Sequence, residues 1–134
     1  MTQLLAQSMT QSLEDYLEMV SILSDEGSVR VTDIALRLGV SKPSVLTALK
    51  ILENHGLLER EPYRTVCLTS DGRQKAAEIR KRHSMLSAFL CDVLGVSAET
   101  AEKDACKMEH YLSRETLEKM QDMVQSTANV KTSM

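Results

Sequence analysis

The stretch VTDIALRLGVSKPSVLTALKILENHGLLER, residues 31–60, predicts two short helices separated by a glycine turn. Thr32 is typical of the residue that caps the start of a helix, and Gly39 is typical of the residue that ends one. Ser41 predicts the start of a second helix, with Pro43 in its first turn, where a missing backbone N–H costs nothing. Together these residues predict a helix-turn-helix motif.

Two short strands are predicted directly after the second helix, at residues 57–60 and 64–68, with a turn at Pro62. A hairpin in this position is what the wing of a winged helix-turn-helix domain requires. Helical periodicity predicts one helix before the motif, residues 9–25, and a long helix after it, residues 70–95. Ser97 and Ser113 are typical caps of two further helices. The predicted fold is mainly α, with a small two-stranded wing.

Composition agrees with a mainly helical chain. The 134 residues are 43% hydrophobic but only 3% aromatic, and 5 Gly and 2 Pro interrupt few of the helical patterns. Three cysteines without paired spacing argue against a disulfide framework and for a reducing compartment. We find no signal peptide and no apolar run of the roughly 18 residues that span a bilayer, so we expect a cytoplasmic protein without a membrane partner.

The charge is unevenly distributed, although the net charge is only −3. Residues 30–82 carry an excess of Lys and Arg, whereas the flanking segments are acidic. A basic middle segment that contains a helix-turn-helix motif predicts binding to double-stranded DNA, with small polar side chains near the base edges and basic ones near phosphates. The alternative is an ordinary solvated surface. The candidate DNA-binding residues are Arg30, Thr32, Ser41, Lys42, Pro43, Ser44, Thr47, Lys50, Arg60 and Arg64.

A second constellation lies in CKMEHYLS, residues 106–113. Cys106, Glu109 and His110 are spaced so that on a helix all three point roughly the same way. They are candidate metal ligands or catalytic groups, and a coincidence is the plain alternative. Asp15 and Glu18 lie three residues apart on the first predicted helix and are further candidate ligands, or else solvated surface.

His83 is a candidate of a different kind, because it falls on the apolar stripe of the long helix, between Ile79 and Leu86. A lone histidine in such a position is more often a hydrogen-bonded core residue than a ligand. Spacing alone leaves the choice open.

From Asp15 to about Met120 the chain resembles the diphtheria-toxin-repressor family of metal-dependent transcription regulators, most of all its short manganese-regulator branch. The resemblance is carried by SLEDYLEMV at 12–20, residues 31–58, YRTVCLTSDGR at 63–73, RKRHSML at 80–86 and ACKMEHYLS at 105–113. It implies a homodimer in which an N-terminal winged helix-turn-helix precedes a helical metal-binding and dimerisation region. We therefore expect a DNA-binding domain at 1–72, a metal-binding and dimerisation domain at 73–126, and a flexible tail at 127–134.

The same resemblance implies a metal site and its ligands. Asp15 and Glu18 match first-helix carboxylates of the manganese branch, and His83 matches a ligand on the long helix. The last three expected ligands are Cys106, Glu109 and His110. Cys106 departs from the manganese branch, which typically has Glu there, and matches the iron branch, so the expected metal is Mn²⁺ or Fe²⁺, with Zn²⁺, Co²⁺ or Cd²⁺ as substitutes.

The function implied is a metal-dependent repressor of metal-homeostasis genes, acting as a homodimer on a palindromic operator. We expect neither enzymatic activity nor a small-molecule substrate, because the chain contains no Gly-rich phosphate loop or oxyanion-hole motif. The alternative is a metal-independent winged-helix regulator that senses oxidants through Cys106. Such a sensor needs an accessible thiol with a depressed pKa, which the neighbouring Glu109 disfavours and which Lys107 and His110 favour.

Overall fold

The computed structural model describes residues 9–60 and 65–133, which form two compact units that divide between Glu78 and Ile79. The first unit contains three helices, a small sheet and the beginning of a fourth helix. Its elements are α1 (Gln11–Glu26), β1 (Val29–Arg30), α2 (Val31–Leu38), α3 (Lys42–Asn54), β2 (Leu58–Arg60), β3 (Thr65–Leu68) and the start of α4 (Ser70–Ala88).

The predicted helix-turn-helix is formed by α2 and α3. Gly39 ends α2 with a left-handed backbone (φ 67°), and Ser41 caps α3 by accepting a hydrogen bond from the Ser44 N–H at 3.3 Å. The prediction that Thr32 caps α2 is wrong, because the helix already begins at Val31. There the Arg30 backbone N–H donates to the Asp33 carboxylate at 3.3 Å, so a side chain three residues on fixes the helix start.

The wing hairpin is also present, as an antiparallel pair of β2 and β3 in which Leu58 lies opposite Leu68. A third strand, β1, was not predicted. It pairs with the other edge of β3, with Val29 opposite Val66, so that β3 is the central strand. Because β1 has only two residues, it shows no alternation that a sequence pattern could detect. The predicted turn at Pro62 lies outside the described residues.

The core of the first unit consists of the apolar faces of these elements. One face of α1 and one face of α3 are apolar and buried, and β1, β2 and β3 each add one buried aliphatic side chain. The fully or almost fully buried residues include Leu17, Val20, Val29, Ile34, Val45, Leu49, Leu52, Leu58 and Val66. This packing leaves the opposite face of α3 exposed to solvent.

The second unit consists of the remainder of α4 and three further helical segments. They are a π-helical turn (Phe89–Val93), α5 (Ala98–Met108) and α6 (Arg114–Ser133). Ser97 and Ser113 cap α5 and α6 as predicted, each accepting the backbone N–H three residues later. The core is formed by Met85, Leu86, Leu90, Ala101 and Ala105, against which Leu117, Met120 and Val124 of α6 pack.

The helix α6 extends through Ser133. The domain boundaries at 72 and 126 and the flexibility of 127–134 stay predictions. None of the helices within the described residues is long and apolar enough to cross a lipid bilayer.

Gly72 is buried in the first turn of α4 at a place where no larger side chain fits. A Cβ atom at this position would overlap the backbone carbonyl of Leu57. Thr69 holds the two segments together, because its hydroxyl accepts from the Gly72 N–H at 3.0 Å and donates to the Gly56 carbonyl at 2.6 Å. The start of α4 is therefore packed directly against the backbone that leads into β2.

We predict that Gly72→Ala lowers the free energy of unfolding by about 1–3 kcal/mol, the usual range for overpacking. Helix propensity alone has the opposite sign, since Ala is favoured over Gly by about 1 kcal/mol. Urea denaturation measures the difference. The control is Gln74→Ala, an exposed position on the same helix, for which we expect a change within about 0.5 kcal/mol. A more stable Gly72→Ala protein would contradict the close approach.

Candidate metal centre and nucleic-acid interface

The exposed face of α3 carries most of the candidate DNA-binding residues. Lys42, Pro43, Ser44, Thr47 and Lys50 are all exposed. Two of the hydroxyls also bond within the helix, since Thr47 Oγ1 donates to the Pro43 carbonyl at 3.0 Å and the Ser41 and Ser44 hydroxyls lie 2.9 Å apart. These bonds hold short side chains close to the helix backbone. A helix with such side chains can approach the major groove of DNA closely.

Leu46 belongs to the same face and was missed by the sequence reasoning. It is 42% exposed and lies one turn after Lys42 and one turn before Lys50, so the three share a stripe. An apolar side chain on a recognition helix suits contact with a thymine methyl group. The signal was available in the sequence, because Leu46 lies off the buried stripe of Val45, Leu49 and Leu52.

The remaining candidates flank α3. Arg30 and Thr32 are exposed at the end of β1 and in the first turn of α2. Arg60, on β2, is a neighbour of α3, because its Nε donates to Glu53 Oε1 at 2.6 Å. This pair connects β2 to α3. Arg64 lies outside the described residues.

Three candidate metal ligands lie close together in the second unit. Glu109 is 1% exposed and lies between two imidazoles. Its Oε2 is 3.3 Å from His83 Nδ1, and its Oε1 is 3.3 Å from His110 Nε2. The side chains of His83 and His110 are 16% and 2% exposed. Two imidazole nitrogens around a buried carboxylate are a donor set that fits a divalent transition-metal ion.

Local structure explains why Glu109 and His110 are adjacent to His83. The helix α5 ends at Met108, and Glu109 is its C-terminal cap, with its N–H bonded to the Ala105 carbonyl at 3.1 Å. His110 follows in the turn that leads to α6, so the pair lies just beyond the helix rather than within it. His83 reaches the same place from α4, where it is only partly buried although its neighbours on the stripe, Ile79 and Leu86, are fully buried.

Cys106 lies within α5, one turn before His110, and is half-buried. Among the residues that the structure describes, no group of three or more ligand atoms within 4.8 Å of one another includes it. Its role as a ligand stays a prediction. Asp15 and Glu18 are half-buried on one face of α1 in the first unit, next to the buried Glu14.

Glu102 is a further residue that sequence reasoning missed. Its Oε1 lies 2.8 Å from His83 Nε2, the ring nitrogen opposite the one that faces Glu109. The two residues are 19 positions apart on different helices, α5 and α4, so no spacing rule connects them. His83 therefore lies between two carboxylates, one buried and one largely exposed.

Two family models together match most of the chain. The model of the iron dependent repressor N-terminal DNA binding domain matches residues 8–66, and that of the iron dependent repressor metal binding and dimerisation domain matches residues 69–129. The transcriptional regulator MntR of Escherichia coli O6:H1 is 47% identical over 107 residues, which cover 79% of this chain and 68% of that protein. The chain belongs to the diphtheria-toxin-repressor family of metal-dependent transcription regulators, which confirms the resemblance.

Solved structures show the same fold. A manganese-dependent transcriptional repressor in complex with manganese has a TM-score of 0.77 and 25% identity, covering 84% of this chain and 52% of that one. ScaR with bound Cd²⁺ has a TM-score of 0.74 and 26% identity, covering 84% and 53%. The chain thus spans about half the length of these two structures. Because the relatives are transcription regulators, the family is not one of enzymes.

Proposed function

We propose that this chain is a metal-activated repressor that binds a palindromic operator as a homodimer and controls metal-ion homeostasis genes in the cytoplasm. The single observation that carries the proposal is the buried group formed by His83, Glu109 and His110, in a chain whose other unit is a winged helix-turn-helix. A buried carboxylate between two imidazoles is a costly arrangement, which a bound cation would offset.

In this proposal six residues hold metal. His83, Glu109 and His110 supply the donors of the second unit, and Cys106 adds a thiolate one turn earlier on α5. Asp15 and Glu18 supply carboxylates from α1, as the family resemblance implies. Because ligands are drawn from both units, metal binding restricts the movement of α1 and favours the conformation that binds DNA, and DNA binding favours metal binding by the same factor.

The metal we propose is Mn²⁺ or Fe²⁺, with Zn²⁺, Co²⁺ or Cd²⁺ able to substitute. Imidazole and carboxylate donors accommodate all of these ions, whereas a thiolate from Cys106 favours the softer ones. Two comparisons support the range, since one similar structure holds manganese and another holds Cd²⁺. Binding curves for each metal, with DNA affinity as the readout, would rank them.

The homodimer is supported by the second unit. The family model matched there describes a dimerisation domain. Met123 and Val130 are 51% and 60% exposed and lie seven residues apart on α6, hence on one face. With two recognition helices related by a twofold axis, a palindromic operator follows from symmetry. For the recognition surface we propose Arg30, Thr32, Ser41, Lys42, Pro43, Ser44, Thr47, Lys50, Arg60 and Arg64.

The proposal is tested by a mobility-shift titration on a palindromic duplex selected from a random pool with Mn²⁺-loaded protein. We expect Mn²⁺ to tighten binding by about 5- to 150-fold relative to protein treated with chelator, the usual range of such coupling. A scrambled duplex of equal length is the control and should show no such gain. Equal operator affinity with and without metal would refute the mechanism. Loss of DNA binding when the metal-free protein is treated with peroxide would favour the thiol-sensing alternative.

A further inference from the structure

We propose that Glu102 is the positioning residue of the metal site: it holds the His83 ring so that Nδ1 presents its lone pair toward Glu109 and His110. This inference rests on the proposed function, because it concerns the same site. Glu102 is not one of the six expected metal ligands.

The first step of the argument is the geometry of the His83 ring. Nε2 lies 2.8 Å from Glu102 Oε1, a good hydrogen-bond distance, whereas Nδ1 lies 3.3 Å from Glu109 Oε2. The two ring nitrogens therefore face different carboxylates. Only the Nδ1 side faces the buried donor group, since Glu109 also approaches His110.

The second step concerns which ring nitrogen of the imidazole carries a proton. A histidine that binds a cation has one nitrogen without a proton, and its single N–H then lies on the other nitrogen. If Nδ1 is the donor atom, the proton is on Nε2, where the Glu102 carboxylate accepts it. A ligating histidine ordinarily donates its second N–H to a carboxylate or carbonyl, which fixes its tautomer and orientation and raises its basicity.

The third step concerns burial. The Glu102 side chain is 65% exposed, whereas that of His83 is 16% exposed. A largely solvated carboxylate is a poor candidate for a ligand enclosed with Glu109, but it is well placed to accept a proton from the outer edge of the ring. Exposure also weakens the hydrogen bond, so we expect an effect near the lower end of the range seen for such outer partners, about 10-fold in metal affinity.

The test uses the full chain and three variants: Glu102→Ala, Glu102→Gln and the control Glu99→Ala. Glu99 is a carboxylate on the same helix that pairs with Lys103 at 3.4 Å, with both side chains largely exposed. Mn²⁺ affinity and stoichiometry are measured for each protein. We expect Glu102→Ala to lose about 10-fold in affinity at unchanged stoichiometry. Glu102→Gln should recover most of this loss, because its amide oxygen still accepts the Nε2 proton, and Glu99→Ala should bind like the wild type.

A second readout needs no metal. Long-range ¹H–¹⁵N NMR spectra of the metal-free protein, with the His83 signals assigned by comparison with His83→Gln, report which ring nitrogen is protonated at a pH where the ring carries one N–H. We expect the Nε2–H tautomer in the wild type and in Glu102→Gln, and a mixture of tautomers in Glu102→Ala. A merely structural role of Glu102 would not move this signal.

Three results would overturn the inference. They are an unchanged tautomer in Glu102→Ala, an equal loss of affinity in Glu99→Ala, and the loss of one bound ion per chain in Glu102→Ala, which would make Glu102 a ligand. These outcomes are separable from a failure of the proposed function. If wild-type DNA binding ignores metal, the proposed function fails while the tautomer result still decides the role of Glu102.

Discussion

Glu109→Gln should abolish the response of DNA binding to metal while leaving the protein folded. The amide has nearly the volume of the carboxylate, so it fills the buried space that Glu109 occupies and avoids the cavity that Ala would leave. It replaces a charged oxygen donor between two imidazoles with a neutral one. Because even partners outside the ligand set contribute 10- to 100-fold, we expect a loss of more than about 100-fold in Mn²⁺ affinity.

The measurement combines Mn²⁺ binding with a mobility shift at saturating and zero metal. Operator affinity in chelator should match that of metal-free wild type, and adding Mn²⁺ at wild-type working concentrations should not change it. Urea denaturation of the metal-free variant checks the fold. Glu115→Gln, an exposed glutamate on α6, is the matched control for the same chemical change. A Glu109→Gln protein that binds Mn²⁺ like the wild type would remove Glu109 from the ligand set.

Lys42→Ala should weaken operator binding without altering the metal affinity of the DNA-free protein. Lys42 is exposed in the first turn of α3, beside the Ser41 cap, where a recognition helix meets DNA. In a homodimer the substitution removes one phosphate contact from each half-site. Since each contact contributes about 0.9 to the slope of log affinity against log salt, the slope should fall by about 2.

The salt series is measured on metal-loaded protein with the selected palindrome. Lys119→Ala is the control, because it removes the same charge from an exposed position on α6, far from the recognition helix in sequence. Its salt slope should equal that of the wild type. Thr47→Ala should behave differently from Lys42→Ala: a lost base contact costs about 1–3 kcal/mol and relaxes sequence preference. A fall in metal affinity of the DNA-free Lys42→Ala protein would mean that the two surfaces had been wrongly assigned.

The recognition motif was predictable because its signals are local. Gly39 and Pro43 act through their own backbone geometry and Ser41 through its hydroxyl, and the structure places the helix ends accordingly. Thr32 failed as a cap because an equally local competitor, Asp33, bonds the backbone of Arg30 instead. Where two polar residues adjoin a helix start, the sequence alone does not indicate which of them forms the capping hydrogen bond.

The metal-binding group was predictable only in part. The spacing of Cys106 to Glu109 and His110 predicted that all three point the same way on a helix, yet the structure has a helix end and a turn at Glu109 and His110. The position of His83 on the apolar stripe did not distinguish a metal ligand from a hydrogen-bonded core histidine. Its two carboxylate neighbours depend on the packing of α4 with α5, which brings Glu102 within 2.8 Å across 19 residues. The contact between Arg60 and Glu53 is of the same kind, since it depends on where β2 packs.

Arg30 is at once the last residue of β1, paired with Thr65, and the N-terminal cap of α2. No linker therefore separates the sheet from the helix-turn-helix. A residue inserted between Ser28 and Val31 would shift either the strand pairing or the helix start. Either shift would disturb the packing of the same domain. Across relatives of this chain, length variation should avoid this junction and accumulate at connections such as residues 95–97, where one helix has ended before the next begins.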